Sequence, residues 1–592
     1  MSGGFTRWLG RAEPAGVSTD LRVLLLAGAD DDPTTRAWRA VLDRTGTDHV
    51  VLRPDEERPL RAEDLLRDGD PDHGRYHAVI AGTDTSAFWS SAPVLLDYRR
   101  RFGVRQLAAF EFPRASAGLQ EGGGRDTTGL TARVTAAGSG VFGYLRGEIP
   151  LSPGSYGYRA TVIEPARFTT LVETDDGHPV VGVADDGEGL QDGLVLVNHD
   201  EWMLHGLLLA RGLLTWVARG VHTGVDRHHL SCHVDDVLLG NATAREGQPA
   251  PIDRPAVVRM DPTDVDALRR WQSQRGFVLD LAYNGWGADP RDPLTRCLLD
   301  HAEDFRWINH TWSHLDLGRA AVPGTPGGTP PWLDTAALIE EIGANQRWAA
   351  SVSLPASTTA LVTGVHSGLD NPHLPQALQA CGITAVAEDA SLPGHGPTIG
   401  PATTVPRHPS NVYAHVSTWR DLLEDYNAQY AAQGIHAATV EDFLRAETAI
   451  VLRHVLTNDP APLFAHQVNL AGERVLLTFL GHVLDVVSSH LADHASLVNA
   501  SMDDVALELR RRQRWGAARQ RGEARAVLRG DVVEIEVDHD VEVPLTAPPG
   551  TRPMAAPRRA RFGEEYAGSR SGWVLVRTGK PLRLRVPGPG TA

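Results

Sequence analysis

The chain has 592 residues, of which 42% are hydrophobic and 22% charged, an ordinary globular balance in a chain too long for one hydrophobic core. Its formal net charge is -17, with 57 Lys and Arg against 74 Asp and Glu, and it has no long basic run, which excludes the usual footprint of a nucleic-acid-binding protein. The 3 cysteines lie far apart. They argue against a disulfide framework and exclude a zinc site built from cysteines.

The stretch MSGGFTRWLGRAEPAGVSTD at the N-terminus has neither the apolar segment nor the cleavage site of a secretory signal. The most apolar helix candidate, at 201–219, is interrupted by His205 and Arg211 and falls short of a membrane span. We therefore expect a cytoplasmic protein without a membrane span, with a non-classical export route as the alternative.

Residues 18–222 are predicted to form an α/β domain. Apolar runs such as LRVLLLAG and HAVIAGTD alternate with amphipathic segments up to about residue 115, which is typical of parallel strands buried on both faces. Hairpin-like pieces follow over 116–200, and the apolar helix closes the unit. The layout is like that of Rossmann and amidotransferase modules, but no cysteine precedes Cys232, so we expect this domain to be non-catalytic.

Residues 223–515 again alternate strand-like runs with helices, as a (β/α) barrel requires. Within them, VPGTPGGTPP (322–331) is predicted to be a flexible loop. Over 520–592 the hydrophobic period becomes two, as in DVVEIEVDHDVEV, and indicates a small β domain. The expected fold class is therefore α/β and multidomain, with a central barrel between an N-terminal α/β domain and a C-terminal β domain.

Two short motifs in the barrel region carry residues that bind metals. HVDD places Asp235 beside Asp236 at the end of a strand-like run, and NHTWSH spaces His310 and His314 four residues apart. On a helix or in a tight loop this spacing directs both imidazoles to one side, which suits two ligands of a Zn²⁺-like ion. One carboxylate would complete a three-ligand site with an open position for water, and the other would be close enough to remove a proton from that water.

The histidine spacing alone is weak evidence, because His490 and His494 repeat it without an acid motif and are predicted to lie on a solvated helix face. The ordered combination of HVDD and HTWSH is more specific, and it resembles the NodB-like polysaccharide deacetylases. Further strings follow in order, namely HSGLDNP, EDAS, PRHPSNVY and LFAHQVNL. They extend the resemblance over about 228–475 toward the fungal galactosaminogalactan deacetylases of carbohydrate esterase family 18.

The resemblance implies a distorted NodB-like (β/α) barrel and a role for each motif residue. Asp235 is expected to be the base, and Asp236, His310 and His314 are expected to bind the metal, with Zn²⁺ favoured and Co²⁺ or Ni²⁺ as alternatives. His466 falls where the family's general-acid histidine falls in chain order. We expect it to protonate the leaving amine, against the alternative of a hydrogen-bonded core histidine.

Weaker strings supply the remaining candidates. Arg407 is expected to pair with Asp235, either as a catalytic partner or as a plain structural ion pair. Asp389 is a pocket candidate without a fixed role. The candidate substrate-binding residues are His366, His408, Asn411, Tyr413 and Trp312, with packing as the alternative for the last three. The chain departs from the family pattern in having His-Val before the acids, where Thr-Phe is common, and in lacking an R-x-P-Y string.

These features predict a metal-dependent hydrolase that removes N-acetyl groups from an amino-sugar glycan containing N-acetylgalactosamine or N-acetylglucosamine, with release of acetate. The alternatives are a non-catalytic carbohydrate-binding or assembly protein and a deacylase of a small amino-sugar metabolite. The glycan is the expected partner, nucleic acid is not, and the oligomeric state is left open.

Overall fold

The computed structural model describes residues 16–28, 32–83, 85–243, 255–319, 330–554 and 561–587. Residues 1–15, on which the signal-peptide expectation rests, lie outside this set, as does most of the predicted loop 322–331. Within the described ranges, no helix combines the length and the apolar character needed to cross a membrane.

The described part of the first region has nine strands in one mixed sheet and six strands that belong to three further sheets. Its strands are β1 (Ser18–Asp20), β2 (Val23–Leu26), β3 (His49–Leu52), β4 (Leu66–Arg67), β5 (Asp70–Gly74), β6 (Ala78–Ala81), β7 (Arg105–Ala108), β8 (Leu119–Asp126), β9 (Thr131–Val134), β10 (Ile149–Pro150), β11 (Tyr156–Val162), β12 (Phe168–Thr174), β13 (Pro179–Asp185), β14 (Gln191–Val195) and β15 (His222–Thr223). Its helices are α1 (Pro33–Thr45), α2 (Ala62–Leu65), α3 (Ala92–Phe102), α4 (Ser139–Phe142) and α5 (Leu204–Val217). The nine strands run in the order β10-β9-β12-β13-β14-β7-β6-β2-β3.

The parallel part of this sheet follows from its sequence. The apolar residues of β2 are buried throughout, as strands covered on both faces must be. Helix α1 begins where the Asp32 carboxylate accepts a hydrogen bond from the Thr35 backbone N–H at 2.8 Å, with Pro33 at the first helical position. It ends at Gly46, whose φ of 75° suits glycine.

The central region contains a closed barrel. Its strands are β16 (Cys232–Val237), β17 (Asn241–Ala242), β18 (Val257–Val258), β19 (Asp280–Tyr283), β20 (Arg306–Asn309), β21 (Ala356–Leu361), β22 (Ala385–Asp389), β23 (Thr398–Ile399), β24 (Ala402–Pro409) and β25 (Leu463–His466). Its helices are α6 (Pro262–Arg275), α7 (Pro293–Asp300), α8 (Thr335–Ser351), α9 (Leu374–Ala380), α10 (Trp419–Tyr430), α11 (Val440–Leu456), α12 (Val475–His490) and α13 (Met502–Gln520).

Seven parallel strands close the barrel in the order β22-β21-β20-β19-β16-β25-β24, and β24 pairs with β22 to complete the ring. Apolar residues on the inner side of the strands, such as Ala282, Ile308 and Val405, form one buried cluster with Met502 of α13. The backbone N–H of Met502 donates to Asp280 at 3.1 Å, and Asp280 pairs in turn with Arg306. Helix α13 therefore closes the amino end of the barrel, and its carboxyl end remains for a site.

The last region forms β26 (Ala524–Arg529), β27 (Val532–Val537), β28 (Val541–Ala547), β29 (Arg552–Pro553), β30 (Glu564–Tyr566), β31 (Ser569–Val576) and β32 (Leu582–Arg585). These strands pair with the first region: β26 lies antiparallel to β1, and β28 lies antiparallel to β15. The α/β class with a central barrel is confirmed. The division at 222 and 520 stays a prediction, and hydrogen-bonded strand pairs connect the two outer units.

Candidate metal centre and active site

The two adjacent acids lie at the carboxyl end of β16. Asp235 and Asp236 are both buried, and consecutive residues of a regular strand would point to opposite faces. The strand is not regular there, because its register against β19 shifts between Val234 and Val237 and Asp236 has a φ of 65°. A positive φ is uncommon outside glycine and costs free energy. Here it breaks the alternation and directs the two carboxylates toward neighbouring points of the barrel mouth.

The histidine motif follows β20 as a loop rather than a helix. Thr311 and His314 have φ values of 63° and 62°, and the Asn309 side chain accepts a hydrogen bond from the Thr311 backbone N–H at 2.9 Å. Ser313 donates to Glu341 of α8 at 2.8 Å. These turns and anchors bring the rings of His310 and His314 to a centroid separation of 4.9 Å.

Three ligand atoms from the two motifs converge. Nε2 of His310 lies 3.4 Å and Nε2 of His314 lies 3.2 Å from Oδ1 of Asp236. Ligands bound to one tetrahedral Zn²⁺ at about 2.0–2.1 Å lie about 3.3 Å from one another. The spacing of this triad is therefore that of a metal site with one face open.

The unpaired atoms of the triad are the ones a metal would bind. Oδ1 of Asp236 and Nε2 of His310 are buried without a hydrogen-bond partner, which is costly unless an ion or solvent satisfies them. The other atoms are held: Asn241 donates to Oδ2 of Asp236 at 2.6 Å, and Nδ1 of His310 donates to the Val362 carbonyl at 3.0 Å. Such outer contacts fix ligand orientation in metal sites, so the residues present fit a divalent metal.

The charges of the triad depend on one another. Burial disfavours ionisation of Asp236, but His310, His466 and His314 outweigh it and hold the pKa of this carboxyl well below its usual range. Burial also disfavours the charged form of His310, yet Asp235 and Asp236 together raise the pKa of its imidazole. Burial, with the charge of His310, lowers the pKa of His314. The site thus holds a carboxylate among imidazoles, a donor set suited to Zn²⁺.

Asp235 is fixed by a buried arginine of β24. The guanidinium of Arg407 donates two hydrogen bonds to the Asp235 carboxylate, at 2.8 and 2.9 Å, and lies 4.7 Å from the centre of the Phe464 ring. Burial opposes ionisation, but the charge of Arg407, followed by that of His310, holds the pKa of Asp235 far below its usual range. Asp235 is therefore an oriented carboxylate.

His366 and Asp389 extend this network. The His366 ring contacts Arg407 through Nε2, and its Nδ1 lies 3.6 Å from Asp389. Val365 and His366 have φ values of 47° and 51°, so the turn after β21 is strained where it meets the site. Burial, together with the charge of Arg407, lowers the pKa of His366 to about 4, which leaves a neutral ring at neutral pH.

His466 ends β25 and stands opposite Asp235 in the register of the adjacent parallel strand. Its Nδ1 is buried without a hydrogen-bond partner. Burial lowers the pKa of His466, although the carboxylates of Asp235 and Asp236 act in the opposite direction. An unpaired imidazole nitrogen next to the acid pair is suited to exchange a proton with a bound molecule.

The other predicted residues have partners of their own. His408 hydrogen-bonds to Asp459 at 2.8 Å, Asn411 donates to Glu447 at 2.8 Å, and the ring of Tyr413 stacks on His415. The Trp312 backbone N–H donates to the Glu341 carbonyl at 2.8 Å, and a side chain added at Gly285 would collide with the Trp312 ring. A role for any of these residues in substrate binding stays a prediction.

The sequence reasoning missed Asn241 and Phe464. Phe464 precedes His466 by two positions in LFAH, so strand alternation could have placed both side chains on one face of β25. Asn241 follows the acids in a short turn, where no hydrophobic periodicity predicts the direction of its side chain. Its role depends on how the turn returns to Asp236, which the sequence does not specify.

Comparisons with known proteins give two kinds of likeness, and no protein-family model matches the chain. The mouse bifunctional heparan sulfate N-deacetylase/N-sulfotransferase 3 is 26% identical over 200 residues, which cover 31% of this chain and 20% of that protein. The bovine bifunctional heparan sulfate N-deacetylase/N-sulfotransferase 2 is 27% identical over 243 residues, covering 39% and 22%. The chain thus matches about a fifth of the length of these relatives.

The structural likeness extends over nearly the whole chain. The crystal structure of Agd3, described as a novel carbohydrate deacetylase, matches with a TM-score of 0.79 at 14% sequence identity and covers 96% of this chain and 99% of the other. The two chains share their fold. The resemblance drawn from the motifs over about 228–475 is therefore confirmed at the level of fold, and the shared fold extends to the flanking regions.

Proposed function

We propose that the chain is a metal-dependent hydrolase that removes N-acetyl groups from an amino-sugar glycan containing N-acetylgalactosamine or N-acetylglucosamine, with release of acetate. One observation carries the proposal: an ionised, arginine-bound Asp235 adjoins the three ligand atoms of Asp236, His310 and His314, which are spaced as a Zn²⁺ site requires.

The similar proteins support the same chemistry. The mouse and bovine relatives are described as heparan sulfate N-deacetylases with a second, sulfotransferase activity, and Agd3 is described as a carbohydrate deacetylase. Deacetylation of a carbohydrate is the activity common to these descriptions. We extend it to this chain because its own residues can perform the proton transfers that the reaction needs.

Asp236, His310 and His314 would hold the metal, with Zn²⁺ favoured by the imidazole and carboxylate donors. When bound, such an ion supplies Lewis-acid polarisation of a carbonyl and activation of water. Asn241 and the Val362 carbonyl keep the ligands in place through their contacts with Asp236 and His310.

The remaining steps fall to the chain's own side chains. A carboxylate oxygen of Asp235 removes a proton from the attacking water, and Arg407 holds that carboxylate in a single orientation. Loss of the C–N bond then requires a proton on the departing amine nitrogen. We assign its delivery to the imidazole of His466, which lies opposite Asp235 on the adjacent strand, and the proton that Asp235 took from the water replaces the one delivered.

The experiment is acetate release from N-acetylgalactosamine and N-acetylglucosamine oligomers of increasing length, using Zn²⁺-loaded protein with and without a chelator. We expect release that the chelator abolishes and that Asp235→Asn lowers by about 10²–10⁴-fold. Release from the monosaccharide alone would favour a small-metabolite deacylase. Tight binding of oligomers without any acetate release would overturn the proposal in favour of a carbohydrate-binding protein.

A further inference from the structure

A second group of metal-ligating side chains lies on the outside of the barrel. His408 is the neighbour of Arg407 on β24, and consecutive strand residues point to opposite faces, so its ring lies away from the site that Arg407 serves. There it meets His454 of α11 and Asp459 of the loop before β25. We refer to His408, His454 and Asp459 as the lateral cluster.

In the lateral cluster, two imidazole nitrogens lie near the same carboxylate oxygen. Nε2 of His408 lies 2.8 Å and Nδ1 of His454 lies 3.7 Å from the same carboxylate oxygen, Oδ2 of Asp459. The two rings stack at a centroid separation of 3.9 Å and an angle of 25°. Two imidazole nitrogens therefore face one carboxylate oxygen from the same side.

These separations are close to those of a bound ion. Ligands of a tetrahedral Zn²⁺ lie about 3.3 Å apart, and the two observed N–O separations lie on either side of that value. Binding would shift these atoms by about 0.5 Å and would also open the stack of the two rings, because imidazoles on one tetrahedral ion point away from each other. The side chains of the cluster are 21%, 27% and 30% exposed. Solvent can therefore reach the fourth position, and an ion can enter without unfolding the barrel.

The hydrogen bonds of Asp459 leave one of its carboxylate oxygens available to a cation. Oδ1 of Asp459 accepts a hydrogen bond from the Ala461 backbone N–H at 3.0 Å, which leaves Oδ2 for the imidazoles. The nearby guanidinium of Arg512 is paired with Glu508 at 2.7 Å, so its charge is offset by a partner.

We propose that His408, His454 and Asp459 form a second divalent-metal site, with Zn²⁺ the favoured ion for two imidazoles and one carboxylate. Its position gives it a structural role. The preceding residue, Asn458, donates to the backbone carbonyls of Arg44 and Val225 at 2.8 and 2.9 Å. An ion at the cluster would fix the loop that connects the barrel to the first region.

The test counts bound Zn²⁺ by mass spectrometry after chelation, reconstitution and removal of free metal. We expect about two ions per chain in the unaltered protein, and about one in either His310→Ala/His314→Ala or His408→Ala/His454→Ala. His490→Ala/His494→Ala, which removes another pair of histidines, is the matched control and should bind as many ions as the unaltered chain. One ion in the unaltered chain, and the same ion retained by His408→Ala/His454→Ala, would overturn the proposal.

A second measurement tests the proposal if His408→Ala/His454→Ala does not fold. In the His310→Ala/His314→Ala background, Zn²⁺ should raise the melting temperature by about 2 °C or more, because an ion that binds only the folded chain stabilises it. Adding Asp459→Asn keeps the side chain's size, removes its charge and should abolish that rise. A rise of equal size with Asp459→Asn would overturn the proposal, as would no rise in either protein.

Discussion

Replacing Arg407 with methionine should leave the buried carboxylate of Asp235 without its positively charged partner. The pair is buried, with 0% of the arginine side chain and 3% of the aspartate side chain exposed, and it shares two hydrogen bonds. Removing one partner of a buried ion pair costs about 3–5 kcal/mol, because the remaining charge has no compensation. We expect a loss of that size in urea unfolding of Arg407→Met.

The stability lost in Arg407→Met should depend on pH, because the pKa of Asp235 in the folded protein is lowered. The pKa of Asp235 is far below its usual range, with Arg407 the first of the charges that lower it against burial. This interaction stabilises the fold above the unfolded-state pKa of about 3.9 and is lost as the pH falls through the folded-state value. In Arg407→Met the pKa rises, so the stability deficit should be largest at neutral pH and shrink on acidification.

The assay combines stability with turnover. If Asp235 is the base, the acidic limb of the acetate-release profile should move to higher pH in Arg407→Met, measured from about pH 5 to about pH 9. A double variant with Asp235→Leu should recover most of the lost stability, because apolar groups of similar volume replace a buried pair at little cost, but it should not recover turnover. Unaltered stability together with an unaltered pH profile in Arg407→Met would refute this reasoning.

Other substitutions separate the roles assigned at the site. Asp235→Asn should keep its metal and lose turnover about 10²–10⁴-fold, whereas Asp236→Asn should lose metal affinity at least about tenfold; metal titration with acetate assays would show the reverse pattern if the two acids were exchanged. Asn241→Ala should weaken metal binding about 10–100-fold by releasing Oδ2 of Asp236, and unchanged affinity would exclude that contribution. His466→Ala should slow release from amides far more than hydrolysis of an aryl acetate, whose leaving group needs no proton; equal losses on both substrates would argue against an acid role.

Much of the site could be predicted because it depends on short motifs. HVDD and HTWSH each carry their residues within a few positions, and the structure brings the ligand atoms of Asp236, His310 and His314 within 4.8 Å of one another. The barrel places them together because parallel strands present their carboxyl ends at one edge. The resemblance also named Arg407 and His466, which lie in the same network.

The rest depends on contacts between distant parts of the chain. His408 follows Arg407 directly, yet it faces the other side of β24 and joins His454 and Asp459. Its neighbours lie about 50 residues further on, and no motif connects them. The positive φ of Asp236 could not be predicted from the sequence either, because a strand pattern predicts alternating side chains and not a residue that interrupts the alternation.

The sharing of sheets between the two outer regions was beyond sequence reasoning for a similar reason. The alternation in 520–592 predicted strands with one solvated face, and the strands are present. Alternation does not show which strand a given strand pairs with, and one of the two partners of β26 is β1, near the other end of the described chain. Periodicity therefore located the elements without showing that they complete the first region.

The pairing of β1 with β26 has a consequence for how the molecule is made. About 500 residues separate the two strands, and ribosomes add about 5–20 residues per second. One edge of β1 therefore remains unpaired for roughly half a minute or longer during synthesis, until β26 has left the ribosome. An open strand edge is a template for misassembly, so this edge of β1 is exposed to pairing with a wrong strand until β26 has been synthesised.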